Sequence, residues 1–497
     1  MVNTADSSRR HLLSRETVAA VLIIGLLSAS LLFGLVFGFS AAMFLVSGLV
    51  AGVVSFLFPR SGIYATLFLL LVFERFYTLQ PFLVGKDIYH IYPLDIVVGA
   101  LFFRMLLEIL SGNMRIRLTM PIGFLLAFFV YASLRFGIDI LSVGDRSLST
   151  AFSTWKNYVF YGGISIFVAM LFQEKEHLVR FAKFFSAGVL AIMIFLVIGI
   201  VRGEGLWTEY TPLSTSGHRI LAFPHAFYFS VAFLVGTTLF AFLTERLKGV
   251  WKGVFLVVYP VFLVGILGSL MRHLWLGIFI ALIASLVLFR KTVLLSIASV
   301  SKYYLLVVLL SVSFVFTVSL VSSSVAPLAN TSGEAFRVFA ERLVSLSNAE
   351  DTSIAWRGVV WKGALAEFSE NPLFGIGFGN RVSVEMDGYR DYVEIRNMHN
   401  SWFALLVQTG ILGFSLFLFF VGSLLLRGIQ VFRRLSDTSF LRLASVPLVT
   451  ILIFCSAVFL SQPYLETNLL SLVFWLSAGL LLAVDSIFRR DTQLERL

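Results

Sequence analysis

Charge is scarce in this 497-residue chain: 13% of its residues are Asp, Glu, Lys or Arg, against 58% hydrophobic. That is too little polar composition to coat a water-soluble globule, which leaves an integral membrane protein. Cysteine is nearly absent. The single Cys455 lies in an apolar run, so there is no disulfide framework, no Cys/His zinc pattern and no thiol nucleophile. His-Glu-x-x-His, Asp-x-Asp and histidine pairs at helical spacing are missing too, and Asp391 with Glu394 are too few to hold an ion. Neither a metal nor another cofactor is expected. The glycine-rich run 375–380 has no Gly-Lys-Ser/Thr after it and opens no helix, which excludes a phosphate loop. Internal repeats and low-complexity tracts are also lacking. The net charge of +10 comes from Lys and Arg dispersed over short loops. It reads as a topology signal and contact with lipid headgroups, not as a nucleic-acid surface.

What is abundant is apolar runs of bilayer-spanning length. Spans are expected at 18–38, 41–58, 63–79, 92–110, 120–138, 157–172, 181–201, 223–244, 253–270, 274–289, 303–321, 400–424, 444–461 and 465–484. The first pair could be a re-entrant hairpin, so twelve to fourteen spans are predicted. The first run has no small-residue cleavage site and continues into a second span, so it reads as a retained helix rather than a signal peptide. Alternate loops hold 22 of the 38 basic residues, among them Arg60, Arg115, Arg117, Arg180, Arg433 and Arg489. The positive-inside bias then puts both termini in the cytoplasm. The opposite side receives the loops at 80–91, 139–156, 202–222, 271–273 and 322–398. The predicted organisation is an N-terminal bundle over 1–321, a large outer loop over 322–398 and C-terminal spans over 399–497. Helical spacing in that loop runs from Glu334 through Ser347 and from Ile354 through Phe368, with Trp356 and Trp361 on or near one face. Glu370-Asn371-Pro372 ends the second stretch.

Charged groups inside spans are costly and call for an explanation. Arg104 with Glu108 and Arg135 with Asp139 are four apart on their helices, so local ion pairs are expected. Glu74 beside Arg75, and Asp95 after Pro93, read as polar cross-links in the bundle. On the outer side a different population gathers: Arg219 after His218, His225 after Pro224, and Arg272 in the hairpin Leu270-Met271-Arg272-His273. No acidic residue lies near them in sequence. Converging arginines suit a diphosphate, whose oxygens match guanidinium forks in geometry and charge; each alone could instead snorkel to lipid phosphates.

The largest polar segment meets a long hydrophobic helix at Asn397-Met398-His399-Asn400-Ser401-Trp402. Either Asn397 or Asn400 could cap that helix. The positive helix end disfavours imidazolium, which keeps His399 neutral and able to accept a proton from a hydroxyl. A histidine at a helix end is more often a cap or an interface residue, so spacing alone does not make it a catalyst. A reaction here without a metal needs a good leaving group, and a diphosphate held by arginines is one.

At these residues the chain resembles the O-antigen ligase and polymerase superfamily of bacterial envelope glycosyltransferases. Its ligase signature is His, Asn/Ser/Gln, nine residues, Gly, two residues, then Gly/Thr/Tyr. His399-Asn400, residues 401–409, Gly410, Ile411-Leu412 and Gly413 match it throughout. Arg272 with Leu276 matches a second element, Arg followed by three residues and Leu. The run 371–380, and Arg357 with Trp361, resemble the family's segments ahead of the histidine. The resemblance implies an all-α, polytopic, GT-C-like fold with a mainly helical outer loop. It also implies inverting, metal-independent transfer of a glycan from an undecaprenyl diphosphate-linked donor at the periplasmic face of the bacterial inner membrane. His399 would act as base or position the acceptor, Arg272 would bind diphosphate and Arg219 would be a second phosphate ligand. Asn400, Arg357 and His225 would support them. The acceptor would be lipid A–core, or another lipid-linked glycan if the chain is an O-antigen or exopolysaccharide polymerase. The arginine, ten residues, glycine element of some polymerases is absent from the outer loops, which favours a ligase. From another class, a transporter or flippase for lipid-linked glycans would have as many spans, but it would carry charges near the bilayer midplane and often internal symmetry.

Overall fold

The computed structural model describes residues 14–79, 81–84, 89–141, 147–202, 219–243, 249–289, 352–386, 389–436 and 439–494, with three isolated positions between 306 and 313. The expected span at 303–321, the helical stretch from Glu334 through Ser347, and His218 lie outside the described residues. The other expected spans fall on helices, with two exceptions: 157–172 is a π turn followed by α-helix only over Gly163–Leu171, and 465–484 is α-helical only from Ser471. Among the described residues six helices are long and apolar enough to cross a membrane, and four shorter apolar ones accompany them. The chain is an all-α, multi-pass membrane protein.

Two compact units form. The first comprises Met1–Ile116, Met170–Phe172 and Glu176–Gly188. It contains α1 (Arg15–Phe37), α2 (Ala41–Leu57), α3 (Pro59–Leu79), the short strands β1 (Phe82–Val84) and β2 (Tyr89–Ile91), and α4 (Pro93–Leu110). Among the described residues its helices are linked through Glu16, which the sequence alone does not single out, whereas Asp95, expected as a cross-link, caps its own helix. Glu16 receives Arg60 at 2.8 Å and also pairs with Arg180. Arg104 pairs with Glu108, and Asp95 accepts the Tyr92 backbone N–H at 2.8 Å, where α4 begins.

The second unit, Arg117–Ala169, Gln173–Lys175 and Val189–Leu497, holds the remaining elements and the candidate site residues. Its helices are α5 (Met120–Leu141), α6 (Leu148–Trp155), a π turn (Lys156–Phe160), α7 (Gly163–Leu171), most of α8 (Lys175–Arg202), α9 (Phe223–Leu243), α10 (Gly249–Gly268) and α11 (Arg272–Leu288). After the undescribed stretch come α12 (Thr352–Glu370), the antiparallel hairpin β3 (Arg381–Met386) and β4 (Tyr389–Glu394), then α13 (Ser401–Arg434), α14 (Phe440–Phe459) and α15 (Ser471–Leu494). The outer loop is therefore not wholly helical. Val360 and Ala364 of α12, Val382, Val384 and Val393 of the hairpin, and Met398 share one core with Ala404 and Val407 of α13.

The sequence predicts one continuous helix over 400–424, but the structure breaks it at Gly410, whose φ of 69° and ψ of −177° are open in practice to glycine alone. In a regular helix the carbonyls of Val407, Gln408 and Thr409 would receive the N–H groups four residues on. Here the loop after α12 enters the break. Ile376 N–H donates to Val407 O at 2.9 Å and Gly377 N–H to Gln408 O at 3.0 Å, while Ile411 and Leu412 N–H donate to the carbonyls of Pro372 and Leu373 at 2.9 and 3.2 Å. The Tyr131 hydroxyl of α5 takes the third carbonyl, Thr409 O, at 2.6 Å. Irregular backbone in a spanning helix is tolerable because these polar groups are satisfied within the protein. From α5, Arg135 donates to Gly375 O at 3.2 Å and Asp139 accepts Phe378 N–H at 2.7 Å. The expected Arg135–Asp139 ion pair exists at 3.6 Å, and both partners also grip the inserted loop.

Candidate active site

His399 lies one residue ahead of the α13 N-cap with φ 53° and ψ 36°, in the left-handed region. Among the described residues only Leu270 and His399 are non-glycines at positive φ. Both stand at candidate positions, as strained residues at functional sites often do. Asn400, not Asn397, is the cap: its side-chain oxygen accepts the Phe403 N–H at 3.0 Å. Trp361 Nε1 of α12 holds the preceding carbonyl, Met398 O, at 2.9 Å. Burial pushes the His399 imidazole below its ordinary pKa, a hydrogen bond with Gln462 opposes this, and the positive charge of Arg357 adds to the fall. Burial and an arginine thus push the ring in the direction that helix-end charge was expected to push it.

Three arginines lie within electrostatic range of one histidine. Arg357, Arg219, His399 and Arg272 all act electrostatically on His273, the second residue of α11. Arg272 opens α11, Arg357 projects from α12, and Arg219 is buried just ahead of α9, where Ile220 N–H bonds Gly268 O at 3.1 Å. His225 has another setting. Its ring stacks on Phe195 of α8 with centroids 4.2 Å apart, so it belongs to the packing of α8 on α9. Among the described residues no three His, Cys, Asp or Glu side chains are grouped as a metal site would need.

One part of the site was not read from the sequence. The segment joining α14 to α15 passes under His399 and presents alternate residues 462, 464 and 466 to it and its neighbours. Gln462 Oε1 lies 3.2 Å from His399 Nδ1. The Tyr464 hydroxyl lies 2.7 Å from His273 Nε2, and its ring packs on Phe223 and Phe227 at 5.1 Å each. Glu466, 3% exposed, accepts the Ser401 hydroxyl at 2.5 Å and the Tyr158 hydroxyl, and its carbonyl receives Asn157 Nδ2 at 2.8 Å. Ser401 in turn accepts the Leu465 N–H at 3.1 Å. Burial lifts the Glu466 carboxyl to about 7 despite the hydrogen bonds from Ser401 and Tyr158. The sequence places the last span from 465, which hides this glutamate inside it. The helix starts at Ser471 instead, because Pro463 and the polar run Glu466-Thr467-Asn468 interrupt the apolar pattern. The alternation of polar residues about Pro463 was the available signal.

These groups sit at one set of helix ends: the starts of α9, α11 and α13 and the joint after α14. Chemically, a neutral histidine beside several cations can accept a proton while the cations stabilise an anionic leaving group. Residues 257–418 match the family described as O-antigen ligase. The matched stretch holds Arg272, His273, Arg357, His399, Gly410 and Gly413; Arg219 and the segment 460–467 fall outside it. No curated protein matches the chain.

Proposed function

We propose that this chain, a member of the O-antigen ligase and polymerase superfamily, transfers a glycan from an undecaprenyl diphosphate-linked donor to an acceptor hydroxyl at the periplasmic face of the inner membrane. The observation that carries this reading is the convergence of Arg357, Arg219, Arg272 and His399 around His273. His399 takes the acceptor's proton as its oxygen attacks the anomeric carbon. The carbon–oxygen bond to the diphosphate breaks on the opposite face, inverting the configuration. Arg272, Arg219 and Arg357 hold the charge that develops on the departing polyprenyl diphosphate. Lipid A–core is the acceptor we favour, since the polymerase-associated arginine element is absent from the outer loops.

Transfer from a lipid-linked donor in detergent tests this directly, because a transporter or flippase yields no product without a compartment. His399→Ala and Arg272→Ala are expected to abolish product while the proteins still insert and purify. Undiminished product from His399→Ala overturns the reading. Activity is expected to survive EDTA; loss with EDTA and recovery with a divalent ion would remove the arginine-and-leaving-group mechanism. Deleting the gene separates the acceptors: free lipid A–core with accumulated long polymer marks a ligase, whereas single repeat units on the acceptor mark a polymerase.

A further inference from the structure

Among the described residues, the hydrogen bond to the His399 ring comes from outside the family's matched stretch. Gln462 comes from the joint between α14 and α15, 63 positions further along the chain, and its Oε1 stands 3.2 Å from His399 Nδ1. An amide oxygen only accepts hydrogen bonds, so Nδ1 carries the proton in this arrangement. The lone pair then resides on Nε2.

We infer that Gln462 is the positioning residue of His399, holding the ring in the Nδ1–H form so that Nε2 is the atom that receives the acceptor's proton. This rests on the reading of His399 as the base. Three features support it. The backbone at His399 is left-handed, a strained conformation of the kind that clusters at functional sites. The segment bearing Gln462 is itself anchored, since Ser401 accepts the Leu465 N–H at 3.1 Å and donates to Glu466 at 2.5 Å. The same segment also reaches the arginine cluster, through Tyr464 and His273 at 2.7 Å. One short joint therefore fixes both the proton acceptor and the histidine next to Arg272.

A neutral amide suits this position. In hydrolases with a Ser-His-Asp arrangement the third residue is a carboxylate, which orients the histidine and also raises its basicity. Here the charged and titratable groups around His399 are Arg357 from α12, which acts on it directly, and His273 from α11, itself within range of Arg272 and Arg219. Glu466 lies in the same joint as Gln462, bonded to Ser401 and Tyr158. A carboxylate at position 462 would add a negative charge against the ring and favour imidazolium, which cannot act as a base. The amide fixes the tautomer through a hydrogen bond alone, with a weaker push in that direction than a charge would give.

The test is diethylpyrocarbonate labelling of the full chain in detergent across pH, resolved at His399 by peptide mass spectrometry. The reagent attacks the neutral ring, so the pH of half-maximal labelling reports its protonation without any glycan substrate. Gln462→Glu is expected to raise that midpoint by about one unit or more. Gln462→Met, similar in size but without the acceptor oxygen, is expected to lower it. In the transfer assay Gln462→Met should cut kcat by about tenfold to a hundredfold with little change in KM for the lipid-linked donor. The acid limb of the Gln462→Glu rate profile should move to higher pH. An unmoved midpoint in both variants overturns the positioning role, as does unchanged kcat in Gln462→Met. If His399→Ala itself stays active, the base assignment fails whatever Gln462 does. If His399→Ala is inactive while both Gln462 variants titrate and turn over like the native protein, only the present inference fails.

Discussion

Two segments meet the first turns of α13, and they are held in opposite ways. The run 372–377 enters the break at Gly410 and is bonded backbone to backbone, four N–H groups to four carbonyls. The joint at 461–467 reaches His399 and Ser401 chiefly through side chains: Gln462, Tyr464 and Glu466. Backbone bonding demands close approach, and close approach demands glycine. A methyl group at position 410 would sit 2.2 Å from Leu373 O, and one at 375 would sit 2.5 Å from both Gly410 N and Val407 O. Side-chain bonding makes no such demand on the main chain. The first contact should therefore fail as a folding defect when it is altered, and the second as a change in titration or catalysis.

The largest expected effect tests the backbone-made joint. Gly410→Ala forces a side chain into a conformation that only glycine adopts and drives it into the Leu373 carbonyl. The combined strain is expected to cost at least about 3 kcal/mol. Loss of the monodisperse protein in detergent, or a large fall in Tm, is the outcome to look for. A Gly410→Ala protein with native Tm that merely turned over slowly would break the distinction between the two joints.

That distinction also explains what was legible in the sequence. Helices declare themselves by apolar runs, so the spans were readable to within a few residues, and local pairs such as Arg104 with Glu108 followed from spacing. Gly375, Gly377 and Gly410 were readable as a motif, although not as an insertion into a broken helix, because apolar periodicity continues unbroken across Gly410. Arg272, Arg357 and His399 were legible through residue type and resemblance. Gln462 and Glu466 were not. Their partners lie 63 and 65 positions away for His399 and Ser401, and nothing in a Gln-Pro-Tyr-Leu-Glu segment announces a distant contact. The hairpin over 381–394 escaped as well, although Arg381-Val382-Ser383-Val384-Glu385 alternates as a strand does, because the periodicity read in the loop stops at Phe368.

An intermediate effect should come from the side-chain-made joint. Glu466 is buried and its carboxyl is lifted from an ordinary 4.5 to about 7. A group raised on folding contributes stability that is full below its unfolded value and is lost as pH rises through its folded value. Stability in detergent should accordingly fall as pH rises from about 4.5 to about 7, by about 3 kcal/mol, and the native Tm with it. Glu466→Gln keeps the shape and the hydrogen-bonding capacity but does not titrate, so its Tm should be flatter over that window. An identical pH slope in the two proteins would show that Glu466 does not titrate with folding, and would weaken the case that this joint is tuned through its side chains.

The smallest expected effect lies where the two joints meet. Asn400 caps α13 by accepting Phe403 N–H at 3.0 Å, a side-chain bond on a helix otherwise fixed by backbone contacts. Its loss in Asn400→Ala is expected to cost about 1 kcal/mol, with a correspondingly small fall in Tm. Aspartate also caps well, so Asn400→Asp should recover most of that stability. It would also place a negative charge next to His399, which favours imidazolium and should raise the labelling midpoint of the histidine. A cap that is only structural predicts recovered Tm together with recovered titration. Recovered Tm with a shifted midpoint instead means that the residue after the histidine, like Gln462 beneath it, is kept neutral so that His399 stays a base.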